Sequence, residues 1–154
     1  MAFLAGQRAT AAQLNDQNAK GISLIADGLT SPQSFATGST TTVQWPVIDS
    51  SESSIITITG TNNTTFTVVK PGFFAIETAL RLVAGTTTLE LSIKVNGVRV
   101  GANVGNTVTS TARNLRLVAG DVITITAIHS SGSTKAVESG AEDTSHVSIT
   151  RLSE

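Results

Sequence analysis

The chain has 154 residues, of which 40% are hydrophobic and 14% are charged, and its formal net charge is −1. This length fits one domain with a single core, and the scattered single charges exclude the basic footprint of a protein that binds DNA or RNA. The absence of cysteine excludes disulfides, thiolate metal sites and cysteine nucleophiles. The 24 threonines and 17 serines supply an uncharged polar surface, and β-branched threonine favours strands over helices.

The first thirty residues differ from the rest of the chain. Thr10 and Gln13 have the spacing of a capping box, which predicts a short helix over about residues 11–20, closed by Gly21. The breaker Ser31-Pro32 then divides the chain into an N-terminal anchoring segment, residues 1–33, and a domain, residues 34–154. The segment is more apolar than a free tail should be, and its candidate docking residues are Phe3, Leu4, Leu14, Ile22, Leu24 and Ile25. Alternatively, these residues pack beneath their own oligomer.

The opening residues lack the basic start and the apolar run of a signal peptide. No stretch approaches the ~18 consecutive apolar residues of a membrane-spanning helix. We therefore expect a soluble chain made in the cytoplasm, with no membrane partner.

From about residue 34 onward, apolar residues alternate with polar ones in short runs, which predicts an all-β fold. The Asn96-Gly97 pair predicts a tight hairpin, because both residues tolerate positive φ. The hexapeptide Leu80–Gly85 recurs unchanged at Leu115–Gly120, which indicates one strand-to-turn solution used twice. The predicted strands cover residues 41–47, 54–59, 65–70, 73–82, 88–95, 98–100, 107–117, 122–128, 134–138 and 145–152.

Four segments of residues 34–152 resemble the C1q/TNF-like jelly-roll superfamily: Pro71–Glu77, Val95–Gly97, Leu115–Ile123 and Ser145–Leu152. The most specific is the turn from Leu115-Arg116-Leu117 through Gly120-Asp121 into the next strand. The resemblance implies an antiparallel jelly-roll sandwich, here preceded by a short N-terminal helix, that assembles as a homotrimer. It also implies a last strand in the centre of a sheet, with the chain terminus near the start of the fold.

Residues Phe3–Asn15 resemble the openings of small virion proteins of phages from Gram-positive hosts. This resemblance implies a bacteriophage structural protein on the virion surface, assembled in the host cytoplasm. Our leading hypothesis is a capsid decoration protein, a trimer that residues 1–33 dock to the major capsid protein or another virion protein. The alternative is a tail-tip or fibre-knob protein that binds a host surface glycan through loops 60–64, 101–106 and 130–145. We expect deletion of residues 1–30 to leave a folded trimer that no longer binds particles.

The sequence predicts no catalytic, cofactor or metal site. His129 and His146 are the two histidines, fewer than a zinc site needs, which disfavours a metal-binding cupin-like barrel. Glu138, Glu142 and Asp143 lack the ligand spacing of a calcium loop, and no nucleophile elbow is present.

Several other residues have a structural interpretation. Asp121 is predicted to be a turn residue whose side chain bonds to the nearby backbone, and Asn62-Asn63 is predicted to form a hairpin turn. Trp45, before Pro46, suits either the core or a subunit interface. The alternation of apolar residues places Phe66, Phe73 and Phe74 in the core.

Overall fold

The computed structural model describes residues 20–25, 32–86, 88–138 and 145–154. These residues form thirteen strands, β1 to β13 in chain order, and every strand pair is antiparallel. The strands are Lys20–Ile25, Ser34–Phe35, Thr41–Thr42, Val47–Ser50, Ile56–Thr59, Thr65–Val68, Gly72–Arg81, Leu89–Val95, Val98–Gly105, Val108–Leu117, Val122–His129, Lys135–Ala136 and His146–Ser153. The predicted all-β class is thereby confirmed, whereas the predicted helix lies outside the described residues except for Lys20, which begins β1.

Two large sheets form the fold. Sheet I has the order β10-β7-β13-β1-β4. Sheet II has the order β5-β6-β11-β8-β9. Strand β3 also pairs with β11, on the same side as β6 and further along the strand. A small third sheet joins β2 to β12.

The core lies between sheets I and II. Alternate residues of each strand face it, as the period of a strand requires. Sheet I contributes the buried residues Phe74, Ile76, Leu80, Val147 and Ile149, and sheet II contributes Phe66, Leu91, Ile93, Ile123 and Ile125. Trp45 is fully buried within the single chain, so the structure assigns it to the core.

The predicted turns are present in the structure. Asn96 (φ 51°) and Gly97 (φ 78°) connect β8 to β9, with Val95 opposite Val98. Asn62 and Asn63 also have positive φ, of 51° and 59°, in the turn between β5 and β6.

The repeated hexapeptide ends a strand in both copies. The first copy ends β7 and the second ends β10, and Gly85 and Gly120 follow with φ of 84° and 92°. At the second copy, the Asp121 carboxylate accepts the Val118 amide (2.8 Å) and the Asn96 side-chain amide (2.8 Å). Asp121 therefore has the structural role predicted for it.

Three sequence predictions were wrong. The run 41–47 is interrupted at Val43–Pro46, where proline lacks the amide that a ladder needs. Strand β9 continues to Gly105, so the predicted loop 101–106 is strand for all but its last residue. Phe73 is 36% exposed, because adjacent residues of a strand face opposite sides and Phe74 occupies the core side.

Leu117→Ala is expected to destabilise the protein by about 2–5 kcal/mol. Leu117 is 3% exposed and belongs to the core, so truncation leaves a cavity between the sheets. Urea unfolding measures the loss. Val118→Ala is the control, since Val118 is 59% exposed and should change stability by no more than about 0.5 kcal/mol. Equal effects of the two substitutions would contradict the assignment of Leu117 to the core.

Candidate functional site

The structure places three of the six predicted docking residues. Ile22, Leu24 and Ile25 lie in β1, which pairs with β13 on one side and with β4 on the other. The sandwich thus contains a strand from within residues 1–33. The registers are Ile22 opposite Ile149, Leu24 opposite Val147 and Ile25 opposite His146. Phe3, Leu4 and Leu14 lie outside the described residues.

Strand β1 enters the sandwich beside the end of β13, where Lys20 is opposite Arg151. Arg151 is 6% exposed and donates from Nε to the Pro71 carbonyl oxygen (2.9 Å), and Gly72 packs against it. We call this the entry end of the sandwich. Any residues that precede β1 in the chain join the sandwich at this end.

The opposite end carries the connections from β7 to β8, from β9 to β10 and from β11 to β12, and we call it the distal end. His129 lies there, 2% exposed, with Nε2 at 2.9 Å from the Phe35 carbonyl oxygen and Nδ1 at 2.9 Å from Ser131 Oγ. Thr37 Oγ1 accepts the Gly132 amide (3.1 Å). These bonds fix the loop after β11 against the segment after β2.

The outer face of sheet I carries a group of short side chains on β7, β10 and β13, and we call this part the open face. Glu77 stands near its centre, exposed, and Ser148 is opposite it on β13. Exposed apolar residues flank the face, with Phe73 (36% exposed) at the entry end and Val108 (49% exposed) at the distal end. The short residues on β7, β10 and β13 are Ala75, Ala79, Ser110, Ala112, Ser148 and Thr150.

The residues considered for metal binding have other partners or stand apart. Within the described ranges, no group of three or more His, Cys, Asp or Glu side chains is close enough to hold a metal ion. Glu138 forms an ion pair with Arg81, which ties the strand bridge after β12 to the end of β7. Glu142 and Asp143 lie outside the described residues.

The described part of the chain also has no helix that is long and apolar enough to span a membrane.

Two antiparallel sheets of this order, with β13 between β7 and β1, match known structures over most of the chain. The fold is a TNF-like jelly roll. A crystal structure of murine APRIL at pH 8.0 superposes with a TM-score of 0.65 and 15% identity, over 88% of this chain and all of that chain (100%). Another structure of murine APRIL, at pH 8.5, gives a TM-score of 0.64 and 13% identity with the same coverage, 88% and 100%.

No protein-family model matches this sequence, and no curated protein matches it. At 13–15% identity, the likeness to these structures shows the fold of the chain alone. Function is therefore argued from the surfaces of the jelly roll itself.

Proposed function

We propose that this chain is a structural protein of a bacteriophage particle, a trimeric jelly-roll knob that its N-terminal segment docks to the particle surface. The observation that carries the proposal is the position of β1. The chain enters the sandwich at Lys20, beside Arg151, while the loops around His129 are at the other end. An anchor at the entry end directs the distal end away from the particle.

The N-terminal sequence supports a docking role for the residues before β1. Phe3, Leu4 and Leu14 are apolar and precede the sandwich, and Phe3–Asn15 has the resemblance to phage virion proteins noted above. Ile22, Leu24 and Ile25 are paired in sheet I of their own chain, so the backbone of that part is already engaged. The docking segment is therefore narrowed to residues 1–19.

Three copies make a weak anchor effective. Once one segment is bound, the other two meet their sites at high effective concentration, and avidity rises well above the affinity of one segment. The open face supports the trimer, because small side chains let a neighbouring copy approach closely and Phe73 and Val108 add apolar area.

Deletion of residues 1–19 is expected to leave a folded trimer that no longer co-sediments with particles. The deletion removes Phe3, Leu4 and Leu14 and keeps β1 with its pairing to β13 and β4. Binding is measured by mixing purified protein with particles that lack it and pelleting them. Immunogold labelling of complete particles then separates a position on the head from one on the tail.

The control is a variant of the full chain in which Phe3, Leu4 and Leu14 are replaced by serine, which keeps chain length. Unchanged particle binding by both variants would refute docking through the segment. A monomer by analytical ultracentrifugation at micromolar concentration would refute the trimer.

A further inference from the structure

A polar groove runs along the side of the sandwich where β9, one edge strand of sheet II, lies beside β10, one edge strand of sheet I. The groove is shallow and open to solvent, and its volume is about 530 Å³. The side chains that give it chemical character are Glu90, Arg99, Asn103 and Arg113, with Val100 and Val104 as apolar patches.

Arg113 is held in a fixed orientation across the groove. Its Nε donates to the Val100 carbonyl oxygen (3.1 Å) and its Nη1 donates to the Ala112 carbonyl oxygen (3.2 Å). Gly101 makes room for this arrangement, since a Cβ there would lie 2.6 Å from Arg113 Cγ. Among the described residues no carboxylate forms an ion pair with Arg113. A guanidinium has five N–H donors, so an oriented cation keeps donors for a ligand.

The other polar groups of the groove are also positioned by bonds. Arg99 Nη1 is 2.6 Å from Glu90 Oε1, which also accepts from Ser92 Oγ (2.9 Å). Asn103 donates from Nδ2 to the Ser110 carbonyl oxygen (2.8 Å) and accepts the Val104 amide at Oδ1 (2.9 Å). The pairing of Glu90 with Arg99 leaves Arg113 as the uncompensated charge of the groove, which is therefore positive.

We infer that this groove binds a sugar that carries a carboxylate, with Arg113 on the carboxylate and Arg99, Asn103 and Glu90 on the hydroxyl groups. The planar fork of a guanidinium matches the two oxygens of a carboxylate. The fixed donors and acceptors suit a ligand rich in hydroxyl groups. The apolar residues that line the groove are Val100, Ala102 and Val104, and no aromatic residue lines it. A peptide usually binds by inserting large side chains into apolar pockets, so this lining disfavours a peptide as the ligand.

The site lies within one chain and is independent of docking or trimer formation. The test is a titration of the full-length protein with methyl glucuronide and with methyl glucoside, followed by isothermal calorimetry and by amide chemical shifts at low ionic strength. Low salt is needed because Arg99 and Arg113 are exposed and salt screens their attraction. We expect the glucuronide to bind with a dissociation constant on the order of 1 mM and to shift the amides of β9, and the glucoside to bind at least about tenfold more weakly.

Arg113→Gln should weaken glucuronide binding about tenfold or more, since a charge-assisted pair is lost. The matched control is Arg116→Gln, which removes the same charge from the same strand at an exposed position outside the groove and should leave binding unchanged. Arg113→Lys keeps the charge without the fork and should give an intermediate loss. If Arg113→Gln proves unstable in thermal unfolding, Arg99→Gln replaces it, with an expected loss of a few-fold.

Two results would overturn the inference. If Arg113→Gln and Arg116→Gln weaken glucuronide binding equally, the ligand is attracted only by the net charge of the protein. Acetate binding as tightly as the glucuronide would mean that the groove recognises a carboxylate without the sugar. Neither result bears on particle docking or on the trimer, which are measured separately.

Discussion

Deletion of residues 1–30 is expected to unfold the sandwich. The deletion removes β1, which is paired on one side with β13 over Lys20–Ile25 and on the other side with β4. Strand β4 then loses the strand that joins it to sheet I, and β13 keeps β7 but loses its partner on the other side. Each buried backbone group left without a bond costs about 1–3 kcal/mol. We expect a loss of at least about 5 kcal/mol, comparable with the whole stability of an ordinary domain. This replaces the sequence-based expectation that the 1–30 deletion leaves a folded trimer.

The measurement is circular dichroism during heating, together with the dispersion of amide resonances. The 1–19 deletion is the matched control, because it shortens the chain and retains β1. A 1–30 deletion that melts at the temperature of the full chain would show that β1 contributes nothing to sheet I.

Gly72→Ala is expected to destabilise the protein by about 3 kcal/mol or more, at the upper end of the cost of overpacking. A Cβ on Gly72 would overlap the Ser153 carbonyl oxygen and lie 2.7 Å from Arg151 Nε. The obstacle is backbone on one side and, on the other, a buried cation fixed by the Pro71 carbonyl. Relief therefore requires β13 to move away from β7.

Chemical denaturation measures this loss, and carboxypeptidase digestion reports whether Arg151–Glu154 has become accessible. Gly38→Ala is the comparison. No atom lies within 4 Å of a Cβ there, so the cost is that of a left-handed conformation at φ +71°, about 1–2 kcal/mol. Losses of the same size at both glycines would contradict the steric argument.

Elements with a strong local signal could be predicted from the sequence. The alternation in Leu89–Val95 and in Val122–His129 and the Asn96-Gly97 turn each encode their structure within a few residues, and the two strands pair in the structure. The turn at the end of each Leu-Arg-Leu-Val-Ala-Gly segment could also be predicted, because the glycine readily adopts the positive φ that the turn requires.

Elements that depend on partners could not be predicted in this way. Strand β1 has three apolar residues, of which only Ile22 and Leu24 alternate, and its six residues form a strand because β13 and β4 flank them. The second half of β9 contains Gly101, Asn103 and Gly105, residue types that are typical of loops. Pairing with β8 nevertheless keeps them extended. Both cases follow the context dependence of strand formation.

The surfaces were less predictable than the fold. Nothing in the sequence around Arg113 shows that its side chain crosses from β10 to the Val100 carbonyl, because the contact joins the edges of two different sheets. The burial of Arg151 carried a weak signal, since it continues the alternation of Val147 and Ile149 onto the core side. A charged residue in an inward position was a hint that its charge is bonded within the protein.

The position of β13 in sheet I constrains how the chain can fold during synthesis. Ser148 is opposite both Glu77 and Ser23, so the middle of this sheet joins segments separated by more than seventy and more than one hundred residues. A nascent chain without residues 146–153 has β1 and β7 but not the strand that links them. Sheet I therefore closes only after these residues have left the ribosome, and such non-local pairing is slow, on the order of milliseconds to seconds. Until then the apolar strands stay exposed, so the rate of synthesis and the supply of chaperones should govern the yield of soluble protein.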